Sequence, residues 1–226
     1  MRYPIVLLDV DDTLLDFQAA EACALRDTLT ARNIPATDEN VALYSRVNRS
    51  WWEKFERGEC EKSALLWLRF EEFFSRLGVA FDPHAAQHEY HENLGNYAFL
   101  IPGAEALCRE LKARGHKLYV VTNGTAHIQH RRFGASGLEA YMDGVFISEE
   151  MGTQKPAPEF FEKVFAALEW PDKENCIILG DSQSSDMLGG KNAGIATCWY
   201  NPKGEMKKGD WAFEIRSLEQ FLEVVS

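Results

Sequence analysis

The chain is poor in cysteine and in positive charge, and it has no long apolar run. Its five cysteines (Cys23, Cys60, Cys108, Cys176 and Cys198) are scattered, odd in number and without a CxxC spacing. That argues against a disulfide framework or a zinc knuckle and for a reducing compartment. Basic residues number 24 against 35 acidic ones, a formal net charge of −11. Such a surface disfavours nucleic-acid polymers and anionic membranes, whose binding needs a positive face. It leaves small anions open, because a local cation and a few donors override the global field. No stretch approaches the ~20 apolar residues of a membrane span. The first apolar run, Ile5 to Leu8, is too short for a signal peptide and stops at Asp9. A soluble, cytoplasmic protein is the expectation. Internal repeats and low-complexity segments are absent too.

What is present is an alternation with an interruption. Ile5–Leu8 reads as a strand buried on both faces. From about Phe17 to Tyr97 the pattern is helical: Thr37 and Ser63 are candidate N-caps, Gly78 a helix stop, and Asp82-Pro83 a helix start. After Pro102 helices and strands alternate, with strands expected at Lys117–Val121, Val145–Ile147, Cys176–Leu179 and Ala196–Trp199. Ser217 with Gln220 suggests a capping box for the last helix. This rhythm predicts an α/β fold, a doubly wound parallel sheet covered by helices on both faces. The expected division is a core of residues 1–16 and 98–226, interrupted by a helical cap of residues 17–97.

Ligands of open α/β sheets sit beyond the carboxyl ends of the strands. There the sequence offers Asp9 and Asp11 in VLLDVDDTL, Thr122-Asn123-Gly124, and Asp181 and Asp186 in ILGDSQSSD, with Lys155-Pro156 in a loop. Two carboxylates ~5 Å apart repel by ~3 kcal/mol at an effective dielectric near 20. A cluster of them needs a cation, a shared proton or both, as metal-assisted phosphoryl chemistry does.

In order, DVDDT, VVTNG, QKPAP and GDSQSSD resemble the four motifs of the haloacid dehalogenase-like hydrolase superfamily, over Ile5 to about Trp199. The resemblance implies a Rossmann-like core and an aspartyl-phosphate mechanism. Asp9 would be the nucleophile, and Asp11 the general acid and then the general base, its acidity weakened by neighbouring carboxylates. Mg²⁺ would be held by Asp9, Asp181 and the Asp11 backbone carbonyl, with Asp186 behind them. Thr122 and the amides of Asn123 and Gly124 would bind phosphate oxygens, and Lys155 would neutralise charge. Asp12 carries no direct role. Dehalogenases of the superfamily lack the second aspartate, so Asp11 favours phosphate esters; Asp12, where phosphomutases typically have glycine, disfavours a mutase.

The helical insert lies where the superfamily's helical cap of the first type resides. Its aromatics (Trp51, Trp52, Phe55, Trp67, Phe70, Phe73 and Phe74) read chiefly as its core, with one or two available to stack on a base. The segments VNRSWWEKFERGE, ISEEMGTQKP and GGKNAGIATCWYN resemble bacterial pyrimidine 5′-nucleotidases, including those acting on noncanonical nucleotides. That resemblance implies Asn48, Arg49 and Trp52 as substrate contacts, and a small phosphate monoester as the partner. Phosphatases of small metabolites such as phosphoglycolate or sugar phosphates, and a phosphate-responsive regulatory protein, are the alternative readings. His84, His88 and His91 read as an exposed helix face, and His127, His130, Arg131 and Arg132 as surface.

Overall fold

A computed structural model describes residues 2–226. The chain divides into two compact units, Met1–Asp16 with Phe99–Ser226, and Phe17–Ala98. The second unit holds four helices: α1 (Phe17–Ala31), α2 (Asp38–Glu56), α3 (Lys62–Leu77) and α4 (Pro83–Leu94). The first is built on strands β1 (Ile5–Leu8), β2 (Lys117–Thr122), β3 (Gly144–Ile147), β4 (Cys176–Gly180), β5 (Ala196–Tyr200) and β6 (Phe213–Ile215). Its helices are α5 (Ala104–Ala113), α6 (Ala126–Ser136), α7 (Ser148–Met151), α8 (Pro158–Ala167), α9 (Leu188–Ala193) and α10 (Phe221–Val224).

The six strands run parallel in the order β3-β2-β1-β4-β5-β6. Strand order reverses beside β1, the place where doubly wound sheets open a ligand crevice. Successive residues of β1 feed opposite layers: Val6 and Leu8 pack with Leu107, Leu111 and Phe221, while Leu7 packs with Phe160, Phe161 and Val164. Burial on both faces explains why the strands are unbroken apolar runs. Register then sets the site. Leu8 pairs with Val120 of β2 and Leu179 of β4, so Asp9, Thr122 and Asp181 emerge together at one edge.

In the helical unit, Thr37 caps α2 by accepting from Asn40 N at 3.3 Å, and Asp82 caps α4 by accepting from His84 N at 3.0 Å. Gly78 ends α3 in the left-handed conformation that glycine adopts without steric cost. Ser63 does not cap that helix: it lies inside α3, whose N-cap is Glu61. The unit's core is aromatic, with the Phe70 ring 5.0 Å from Tyr44 and 5.4 Å from Tyr90. Trp51 and Trp52 are only partly buried; Trp52 meets Phe55 edge-on at 5.7 Å.

Two elements differ from the sequence reading. The edge strand β6 is three residues long, too short to announce itself by alternation. Between β4 and α9 the chain makes a π turn over Gln183–Met187, absorbing the start expected for that helix. The Ser217–Gln220 capping box is present. No helix of the described residues is long and apolar enough to cross a membrane. Because Phe70 is fully buried among rings, Phe70→Ala is expected to cost about 3–5 kcal/mol. Chemical denaturation followed by aromatic fluorescence checks this; a loss below about 1 kcal/mol would contradict the packing.

Candidate active site

β1 ends at Leu8, and Asp9 continues the sheet for one more bond, its amide donating to Leu179 O at 3.0 Å. The backbone then turns sharply: Val10 O accepts from the amides of Thr13, Leu14 and Leu15, and Asp12 adopts φ 59°. That turn leaves Asp9 and Asp11 pointing to different partners.

Asp9 meets Lys155. The Lys155 side chain is 1% exposed, and its Nζ donates to Asp9 Oδ1 at 2.7 Å, Asp186 Oδ1 at 2.6 Å and Val121 O at 2.7 Å. Three N–H donors thus have three acceptors. Asn123 fixes the lysine's backbone: its Oδ1 accepts from Lys155 N at 2.9 Å, and its Nδ2 donates to Lys155 O at 2.8 Å. The peptide that follows, Lys155-Pro156, is cis. Asp186 is brought back by the π turn, its other oxygen accepting from Ser182 N at 3.1 Å. Only a glycine at 180 permits this, since a Cβ there would lie 2.3 Å from the Asp186 carboxyl carbon.

Asp181, just past β4, accepts from Thr13 Oγ1 at 3.4 Å, and its carbonyl accepts from Trp199 Nε1 at 2.8 Å. Carboxylate oxygens of Asp9, Asp181 and Asp186 lie within 4.8 Å of one another. With all three ionised, one ammonium would leave two negative charges for a further cation to offset. The donors are hard oxygens, one carboxylate partly open, a set that fits a divalent cation such as Mg²⁺.

Asp11 lies near enough to Asp9 to act on it electrostatically, but its own oxygens are bonded by donors from α6: Arg132 Nη1 reaches Oδ1 at 2.5 Å and Gln129 Nε2 reaches Oδ2 at 2.9 Å. The Arg132 side chain is 1% exposed, so the surface reading of that residue is corrected. Gln129 Nε2 also donates to Thr122 Oγ1 at 2.8 Å, which accepts Gly124 N at 3.1 Å as well. Both lone pairs of the Thr122 hydroxyl are therefore used, and its proton is the group left to offer. The Gly124 amide, expected to face an anion, closes the loop onto Thr122 instead. The start of α6 is likewise engaged, with Ala126 N donating to Glu149 Oε2 at 2.7 Å. Gln129, Asn123 as a clamp, and Ser185, whose Oγ accepts from Asn123 at 3.2 Å, were not legible as site residues. The available signal was the three-residue spacing of Gln129 and Arg132 on one helix face.

Within the helical unit the three expected contacts diverge. Asn48 is buried: its Nδ2 donates to Glu21 Oε1 at 2.6 Å, and its Oδ1 accepts from Arg69 Nη1 at 2.7 Å. Its amide is part of that unit's interior, which corrects its reading as a contact. Arg49 is exposed and Trp52 half-buried. His91 also belongs inside, 3.2 Å from Arg69 and 2.9 Å from Gln87, which corrects its reading as exposed, whereas His84, stacked on Trp67, and His88 are exposed as expected.

A family model described as haloacid dehalogenase-like hydrolase matches residues 3–194. The chain belongs to that family. This haloacid dehalogenase-like hydrolase is 38% identical over 227 residues to HAD-hydrolase YfnB of Bacillus subtilis, covering 100% of this chain and 96% of that one. It is 38% identical over 202 residues to pyrimidine 5′-nucleotidase PynA of Streptococcus pneumoniae, with 89% and 85% covered. With pyrimidine 5′-nucleotidase YjjG of Escherichia coli it shares 30% over 201 residues, with 89% and 87% covered. A crystal structure of YfnB bound to magnesium superposes with a TM-score of 0.95 at 37% identity, covering 100% of this chain and 99% of that one.

Burial, reinforced by Asp186, raises the Asp9 carboxyl from an ordinary 3.8 to about 8, against the pull of Lys155. Asp181 is raised by burial and by Asp9. Burial alone would lower Lys155; Asp186 and Asp9 more than reverse it, and its ammonium persists. A carboxyl raised on folding contributes stability that is complete below 3.8 and is lost as pH climbs through about 8. Without metal the melting temperature should therefore fall as pH rises from about 4 to about 8, and the increment gained on adding Mg²⁺ should grow over the same range. Thermal melts in chelator and in magnesium, with Asp9→Asn as control, check this; an increment independent of pH would contradict it.

Proposed function

We propose that the chain is a magnesium-dependent phosphomonoesterase acting on nucleoside 5′-monophosphates, pyrimidine ones foremost, through an aspartyl-phosphate. The observation that carries the reading is the Asp9 carboxylate held by buried Lys155 at the end of β1, with Asp11 held separately two residues on. One oxygen of Asp9 attacks phosphorus and the bond to the leaving oxygen breaks, Asp11 in its acid form supplying the proton. Asp11 then takes a proton from water, whose oxygen attacks phosphorus, and the Asp9–phosphorus bond breaks to release inorganic phosphate.

Thr122 suits a phosphate oxygen because its hydroxyl proton is the one group its other bonds leave to donate. Lys155 offsets charge on Asp9 and on the phosphoryl group. Asp9, Asp181 and the Asp11 carbonyl would hold Mg²⁺. Asp186 stays behind them because its oxygens serve Lys155 and Ser182. The ion, when bound, supplies the positive charge that lets an anionic ester approach an acidic pocket. The helical insert is assigned as the cap that reads the nucleoside, with Arg49 and Trp52 as its remaining candidates.

The pyrimidine assignment draws on PynA and YjjG, whose names state that activity, and on their coverage of nearly the whole chain. Phosphate release with Mg²⁺ should be faster from UMP and dTMP than from phosphoglycolate or sugar phosphates. Asp9→Asn should reduce release to background, and Asp11→Asn should lower kcat by about 10²–10⁴-fold. Retained turnover in Asp9→Asn would refute the nucleophile; phosphoglycolate turned over as well as UMP would refute the nucleotide assignment.

A further inference from the structure

Helix α6 carries two buried polar side chains that the phosphatase scheme leaves without a task. Gln129 is 3% exposed and Arg132 1%. They lie three residues apart, on one face of the helix, and that face points to Asp11. Each oxygen of the Asp11 carboxylate takes one of their donors, Oδ1 from Arg132 Nη1 at 2.5 Å and Oδ2 from Gln129 Nε2 at 2.9 Å. The orientation of the Gln129 amide is fixed by its other bonds. Its Nε2 shares a second hydrogen with Thr122 Oγ1 at 2.8 Å, and its Oε1 accepts from Arg132 at 3.4 Å. A flipped amide would put an oxygen against a carboxylate and an N–H against a guanidinium.

The loop is shaped to admit this side chain. A Cβ at Gly124 would lie 2.4 Å from Gln129 Cγ and 2.5 Å from its Nε2. Gly124 has an unremarkable φ, so what requires a glycine there is the volume of Gln129, not the backbone. A buried cation and a buried amide spent on one carboxylate are expensive to assemble, and that carboxylate is the partly open end of the chain, 28% exposed against 1% for its arginine.

We propose that Gln129 and Arg132 are a positioning pair for the acid and base of the reaction. They hold the Asp11 carboxylate by both oxygens, and Gln129 ties its place to that of Thr122. The proton donor and the phosphate-binding hydroxyl then stand at a fixed separation, set by one amide nitrogen. Neither residue touches substrate; both act through Asp11. A misplacement of about 1 Å at such a group costs on the order of 10²-fold in rate. This inference rests on the phosphatase reading for its kinetic consequence, and on geometry alone for the position of Asp11.

The test is a mutant cycle with UMP and Mg²⁺. Arg132→Met and Gln129→Met should each lower kcat by about 10–100-fold, with KM changed by no more than about 3-fold. In an Asp11→Asn background either substitution should cost less than about 3-fold more, because the group being positioned is gone. Arg132→Lys, which keeps one donor, should recover part of the loss. Equal losses with and without Asp11, or a rise in KM at unchanged kcat, would overturn the pairing. Crystal structures of the two variants give a readout that needs no turnover. The Asp11 carboxylate should move from its place in both, and an unmoved carboxylate would overturn the proposal. Wild-type protein that released no phosphate would sink the phosphatase reading, while the crystal structures would still judge the pair.

Discussion

An ammonium group with almost no access to water, bonded to two carboxylates and a strand carbonyl, is the constraint around which this site is arranged. Lys155 can be there only because Asp9, Asp186 and Val121 O meet its three hydrogens. Each acceptor comes from a different strand end: β1, the turn after β4, and β2. The lysine therefore fastens three neighbouring strand ends at the point where strand order reverses. Asn123, also past β2, fastens the lysine's own backbone from the other side. Remove the ammonium, and two buried carboxylates would face each other with nothing between them. Even with it, Asp9 and Asp181 are pushed toward the protonated form, which is the electrostatic signature of a site built to receive more positive charge.

A second arrangement, also on the core, keeps the other acid apart. Asp9 and Asp11 are separated by one residue, yet the turn through Val10 and the left-handed Asp12 send them to opposite sets of partners. One answers to a lysine from the loop before α8; the other answers to an arginine and a glutamine from α6. The two carboxylates are thus given different environments, which suits the separate roles of nucleophile and of acid and base in the proposed mechanism. Glycine at 180 and at 124 makes each arrangement possible by leaving room for the side chain of Asp186 in one case and Gln129 in the other.

Much of this was legible in the chain because parallel strands buried on both faces are unbroken apolar runs, and their ends carry the polar residues. Five of the six strands could be read that way; β6 could not, being a three-residue edge strand with a polar centre. Asp9, Asp11 and Asp181 stand out because acidic groups just past a buried strand need a reason, whereas Thr122, Lys155 and Asp186 are marked by the resemblance of the motifs that carry them. Gln129 and Arg132 do not stand out, because a polar residue on a helix is ordinarily solvated, and only the fold brings that face to Asp11. The same limit explains His91. Polar residues in helical periodicity read as surface, whereas here Glu21, Asn48, Arg69 and His91 join hands across four helices inside an aromatic core. Such a chain of satisfied polar groups fixes the mutual register of helices, which a purely apolar core leaves freer.

The claim on which the account turns is that an oxygen of Asp9 becomes bonded to phosphorus while Lys155 stands beside it. Crystals of the wild-type protein grown with Mg²⁺ and beryllium fluoride test it most directly, because that anion mimics an acyl-phosphate on a nucleophilic carboxylate. The account predicts continuous density from Asp9 to beryllium, with fluorides within hydrogen-bonding reach of Lys155 and Thr122 and an ion on the Asp9 and Asp181 side. An adduct on another carboxylate, or none with the ion present, would contradict it.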